Sequence, residues 1–225
     1  MIELVDVSYS YGGGALLSGV NLVLTPGSFY FLTGPSGAGK TTLLKLCYAD
    51  LMPTTGRIDL FGQDGHAMDR DQIARLRRRI GVVHQDCQFL DHLPLSENLL
   101  LPLKVAGRDT DAEAVNLAEL LDWVGLAAQT NSHPPELSGG ERQRAALARA
   151  VIMDPDVIIA DEPTGNVDWD MSLRLLTLLV ELNKLGKTIL IATHDLNLIR
   201  AAKAQVSARV LRIRNREVQL AAVDL

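Results

Sequence analysis

The run Gly34-Pro35-Ser36-Gly37-Ala38-Gly39-Lys40-Thr41 sets glycines, a lysine and a hydroxyl at the spacing that grips polyphosphate. Glycines let successive backbone N–H groups approach an anion, and a helix starting at the lysine adds the positive end of its dipole. On this reading Lys40 neutralises charge on the terminal phosphates of a nucleotide, the Thr41 hydroxyl holds Mg²⁺, and Thr42 continues the contact into the first turn. A glycine-rich turn that only caps a helix is the simpler alternative.

A second group of residues complements the first. Val157-Ile158-Ile159-Ala160-Asp161-Glu162 is an apolar run that ends in two carboxylates. In a parallel sheet ligands gather beyond the carboxyl ends of the strands, which brings Asp161 towards the metal held by Thr41. The acids then divide the work: Asp161 supports Mg²⁺ and Glu162 polarises the water that attacks the γ-phosphate. Two acids capping the next helix is the other reading. Leu137-Ser138-Gly139-Gly140-Glu141-Arg142-Gln143 has the form of a capping box, Ser138 answered by Glu141 three residues on. Ser138, Gly139 and Gly140 also make a helix start open to an anion. One bound nucleotide seldom needs two such sites, so the second is explained if it serves the nucleotide of another subunit.

Positioning these groups needs strands that deliver loops and helices that leave them. Alternation predicts strands over Glu3 to Ser8, Val20 to Leu24, Phe29 to Thr33 and Arg57 to Leu60, and a helix from Thr42. A charged helix is predicted for Asp71 to Arg79, a strand for Ile80 to Val83, and helices for Ser96 to Val105 and Ala112 to Val124. From Glu141 the pattern alternates again: helix to Ile152, strand Val157 to Ala160, helix Met171 to Lys184, strand Thr188 to Ala192, helix Asn197 to Ala202. Such alternation predicts a parallel sheet covered by helices. Arg209 to Ile213 and Glu217 to Leu220 flank Arg214-Asn215-Arg216 as a hairpin.

Bulk properties narrow the function. With 225 residues the chain can bury a substantial core without a disulfide or metal staple. No apolar run reaches the roughly 18 residues of a membrane span, and Met1-Ile2-Glu3-Leu4-Val5 lacks a secretory signal, so a cytoplasmic protein is expected. Cys47 and Cys87 match neither a disulfide framework nor metal spacing and read as buried thiols. A net charge of −5 argues against a nucleic-acid partner.

Taken together, the glycine loop, the acidic strand end and the Leu137-Ser138-Gly139-Gly140-Glu141 run make the whole chain resemble the ATP-binding subunits of ABC transporters. The resemblance implies an α/β P-loop NTPase fold, with a mixed or largely parallel core sheet, N-terminal antiparallel strands and a helical subdomain. It implies one domain over 1–225, its RecA-like core and β part at about 1–85 and 153–225 and its helical part at about 86–152. It assigns adenine stacking to Tyr11, sensing of Mg²⁺ and the attacking water to Gln85, the γ-phosphate to His194, and the dimer interface to Ser138, Gly140 and Asp168. ATP and Mg²⁺ are the implied cofactors, and a second copy of the chain the implied partner.

Ala160 to Asp168 resembles the branch that holds the FtsE-type, lipoprotein-release and macrolide-export ATPases, and within it Phe31 to Lys40 and Ala192 to Ile199 are most similar to the FtsE type. The FtsE type implies a polytopic membrane partner of the FtsX type, a place on the cytoplasmic face of the inner membrane, and control of cell-wall hydrolysis during division. Partner contacts are expected on a helical segment from Cys87 to about Val105. Val167, His84 and Glu136 depart from the branch, which usually has Leu, Phe and Gln there. ATPases of lipoprotein-release and macrolide-export systems are alternatives within the family. A soluble ATPase clamp on ribosomes or DNA is the alternative from another class.

Overall fold

The computed structural model describes residues 1–110, 112–165 and 167–221. Two sheets carry the chain. The first is antiparallel, in the order β2-β1-β4-β5, from β1 (Ile2–Ser10), β2 (Ala15–Leu24), β4 (Thr55–Leu60) and β5 (Gln63–Asp64). The second runs β10-β9-β3-β8-β7-β6, from β3 (Phe29–Thr33), β6 (Ile80–Val83), β7 (Val157–Asp161), β8 (Thr188–Ala192), β9 (Ala208–Arg214) and β10 (Glu217–Leu220). Every pairing from β9 to β6 is parallel, and only β10 returns antiparallel.

β3, β6, β7 and β8 are almost wholly apolar because both faces are covered, whereas β9 carries exposed Arg209, Arg212 and Arg214. Successive side chains on a strand point to opposite sides. Phe29, Phe31, Ile158, Ala160, Ile189 and Ile191 therefore pack in one layer with α3 (Leu95–Val105), α4 (Ala114–Trp123), α5 (Gly139–Val151), α6 (Trp169–Lys184) and α7 (Leu196–Lys203). Tyr30, Leu32, Val157, Ile159, Leu190 and Ala192 join the opposite layer, with α1 (Lys40–Cys47), α2 (Arg70–Arg77) and the antiparallel sheet. Cys47 and Cys87 are free and buried, one in each layer.

Several boundaries differ from the sequence reading. β2 begins at Ala15 rather than Val20, because Gly19, at φ 60°, lets one strand continue through irregular pairing with β1. Residues 87–94 are not helical: Pro94 caps α3 and the preceding segment is a loop. The hairpin at Asn215 and Arg216 has both central residues at positive φ, 52° and 71°, the twist a two-residue turn requires. The four arginines at positions 75 and 77–79 are divided in use. Arg77 donates to Ala49 O at 2.6 Å and Arg79 pairs with Asp156 at 2.7 Å, while Arg75 and Arg78 are exposed.

Candidate functional site

The buried strand β3 ends at Thr33 and releases the chain into the glycine loop, which closes on α1. Gly39 caps that helix at φ 102°, where a Cβ would lie 3.1 Å from Leu17 Cδ2. Only glycine meets both demands. Lys40 Nζ donates to Gly34 O at 3.0 Å and Pro35 O at 3.4 Å, and stands 4.0 Å from Glu162 Oε1. The Thr41 hydroxyl donates to Asp161 Oδ2 at 2.6 Å. That bond joins the first helix to the end of β7, 120 residues away in sequence.

Glu162 follows β7 at φ 47°, a left-handed conformation for a non-glycine residue. Its N–H donates to Ala192 O at 2.9 Å, fixing the turn against the end of β8. Its carboxylate lies 3.0 Å from Nδ1 of His194, a residue just beyond β8. The His194 side chain is 76% exposed, so the pair sits at the rim.

A cavity of about 620 Å³ opens over these groups. Its wall contains Gly34, Pro35, Ser36, Gly37, Gly39, Lys40, Thr41, Thr42, Gln85, Asp161, Glu162 and His194, and adds Leu16 and Gly165. Leu16 belongs to β2 and carries no motif signal. Gly165 lies three residues before Asp168, which the resemblance assigned to the dimer interface. Tyr11 is outside the wall: it is 64% exposed, edge-on to Tyr9 at 4.9 Å, with its hydroxyl 3.3 Å from Thr42 Oγ1. Ala38 also lies outside the wall. Thr41 Oγ1 and Asp161 Oδ2 are hard oxygen donors converging in the wall beside Gln85. A hydroxyl and one carboxylate suit a Mg²⁺ ion that keeps waters and takes phosphate oxygens as its other ligands.

Ser138, Gly139 and Gly140 do not line this cavity. Ser138 caps α5 with both halves of a capping box: its hydroxyl accepts from Glu141 N–H, and Glu141 Oε2 accepts from Ser138 N–H at 2.8 Å. The Ser138 backbone N–H first, and then its hydroxyl, which donates to Oε2 at 2.7 Å, hold the Glu141 carboxyl below its usual pKa. Asp168 caps α6 by accepting from Met171 N–H at 2.8 Å. Met171 in turn packs where a Cβ on Gly140 would stand, 2.9 Å away, and accepts from Arg144 Nη1 at 2.8 Å. The N-termini of α5 and α6 thus meet at one side chain. Asn166, which precedes Asp168 in the same run, lies outside the described residues.

Residues 17–165 match the family model described as "ABC transporter". The chain belongs to the ABC transporter family. It is an ATPase of the ABC type. The cassette is 39% identical to the cell division ATP-binding protein FtsE of Bacillus subtilis over 209 residues, 92% of each chain. It is 44% identical to FtsE of Haemophilus influenzae over 201 residues, covering 88% of this chain and 92% of that one. The fold is close to that of the ATP-binding cassette MJ0796. A dimeric, post-hydrolysis structure of that protein bound to ADP and Pi gives a TM-score of 0.88 at 31% identity, with both chains fully covered. A second dimeric structure of it gives 0.87 at 33% identity over 97% of each chain.

Proposed function

We propose that this ATPase binds MgATP in the 620 Å³ cavity and drives a membrane complex of cell division, working as a homodimer beside a polytopic partner of the FtsX type. One observation carries the reading: Lys40, Thr41, Asp161, Glu162 and His194, from distant parts of the chain, converge within hydrogen-bonding or ion-pair reach. The FtsE relatives support the division role, and the dimeric MJ0796 structures support the pairing.

Lys40 exchanges the Gly34 and Pro35 carbonyls for phosphate oxygens and neutralises their charge. Glu162 accepts a hydrogen bond from the attacking water and polarises it, and His194, which orients that carboxylate, faces the γ-phosphate. Mg²⁺, held by Thr41 and Asp161 and sensed by Gln85, supplies electrostatic stabilisation of charge on the transferring group. Tyr11 stacks on adenine from the open side. Ser138, Gly139 and Gly140 close on the nucleotide of the second copy, and Asp168 lies in the shared interface. The core and β part cover about 1–85 and 153–225, and the helical part about 86–152. No helix among the described residues is long and apolar enough to cross a membrane. In this proposal the spanning segments belong to the partner, which docks on the segment from Cys87 to Val105 from the cytoplasmic face.

Titration with a fluorescent ATP analogue tests the site. Lys40→Ala should lose most of its affinity because a desolvated phosphate cluster loses its side-chain cation. An unchanged dissociation constant would remove Lys40, and the cavity with it, from nucleotide binding.

A further inference from the structure

The loop between β6 and α3 holds two consecutive non-glycine residues in the left-handed region, Cys87 at φ 56° and Gln88 at φ 41°. Such conformations persist only where their surroundings over-determine them. Here the constraint comes from the helices. Arg149, in the last turns of α5, donates Nη1 to Gln88 O at 2.8 Å and Nη2 to Cys87 O. Its guanidinium also lies over the Phe89 ring, 4.5 Å from the centroid. Gln143, buried on the same helix, donates Nε2 to Gln85 O at 3.4 Å. Fully buried Asn98 of α3 accepts from Leu90 N–H and donates to the carbonyls of Leu90, Leu93 and Pro94. Among the described residues, no side chain of β3, β6, β7 or β8 hydrogen-bonds to residues 85–90.

We propose that Arg149 is a positioning residue for Gln85, tying the backbone of the sensor loop to α5 rather than to α1, which carries Thr41, or to β7, which ends at Asp161. This rests on the role given to Gln85 under the proposed function. The same helix starts at Ser138, about 16 Å away at 1.5 Å per residue. A displacement of α5 at its Ser138 end therefore reaches Gln85 through the Arg149 bonds. Burial is the main cause holding the Arg149 guanidinium below its ordinary pKa, in keeping with a cation whose hydrogen-bond partners are neutral carbonyls. Lysine cannot do the same work, since a single ammonium cannot bond two carbonyls in one plane while stacking on a ring.

The test uses the full chain with Arg149→Lys, Gln85→Ala and the double variant, with Arg149→Ala as a harsher form. Arg149→Lys should lower kcat for ATP hydrolysis about tenfold or more while KM and the dissociation constant for MgATP stay within about twofold. Amide exchange should quicken at residues 86–90 and remain unchanged across α1. Adding Gln85→Ala should cost no further turnover. Unchanged exchange at 86–90, or losses that multiply in the double variant, would overturn the proposal. So would exchange that rises evenly through the chain with KM and kcat both impaired, since that marks a purely structural residue. A wild-type protein that binds no ATP would sink the functional reading instead, and the exchange measurement would still judge the tie.

Discussion

Glu162 and His84 show how far a single side chain can be read without coordinates. Two carboxylates at the end of an apolar run signal a site, but nothing in the sequence says that the peptide of the second turns into the left-handed region. That conformation costs about 1–2 kcal/mol for a residue with a Cβ. Here the N–H bond to Ala192 O and the contact with His194 offset it. His84 stands beside the edge of the Tyr48 ring, their centroids 6.1 Å apart. Burial first, then the positive charge of Arg149, lower its pKa from the ordinary 6.5, with Asp50 and Asp161 pulling the other way. The unfolded chain therefore binds this proton more tightly than the folded one. Stability from neutral His84 is fully present above the unfolded pKa of 6.5 and is lost as pH falls through the lower folded value. Melting curves from pH 7 to 5 should fall less steeply for His84→Phe than for the wild type. Equal slopes would mean that His84 carries no linked proton.

At the scale of elements, α5 and β6 lie close because Gly81 has no side chain. A Cβ there would stand 2.2 Å from Ala150 O and 2.9 Å from Ala150 C, both backbone atoms that cannot yield. The facing stretch of α5 is correspondingly small, with Ala145, Ala146, Ala148 and Ala150 buried. Gly81→Ala should destabilise the protein by about 3 kcal/mol. That is a drop in melting temperature of roughly 6–12 °C for a chain of this size. A smaller change would show that helix and strand can separate without loss. Helices and strands themselves were largely legible, since apolar strands and a capping box such as Ser138 with Glu141 act locally, though the caps at Asp168 and Asp195 emerge only from the structure. The loop at 87–94 was not. Its shape depends on Arg149 and Asn98, whose partners here are backbone carbonyls and one backbone N–H, groups that leave no pattern in residue types.

The whole molecule brings together what no local pattern orders. The glycine loop, the acidic pair and His194 could be named from the sequence, but the strand order that makes them neighbours could not. β8 inserts between β3 and β7, and only crossovers spanning most of the chain decide that. The capping of α5 places Ser138 on the surface outside the cavity, where a second copy can reach it. Glu162→Gln should therefore hold ATP, slow hydrolysis by roughly 10²–10⁴-fold and accumulate as a dimer on size exclusion. Adding Ser138→Arg should return it to monomer with ATP still bound. A Glu162→Gln protein that binds ATP yet stays monomeric even beside the proposed membrane partner would count against the shared site. The same strand order also fixes when the enzyme can come into being. Among the described residues β3 pairs with β8 and β9 alone, Phe29 meeting Ile189 about 160 residues later. On a ribosome adding roughly 5–20 residues each second, the glycine loop emerges some 8–30 s before the strands that will hold it. A nascent chain carries its most recognisable motif early, and becomes an ATPase only after β8 and β9 have followed.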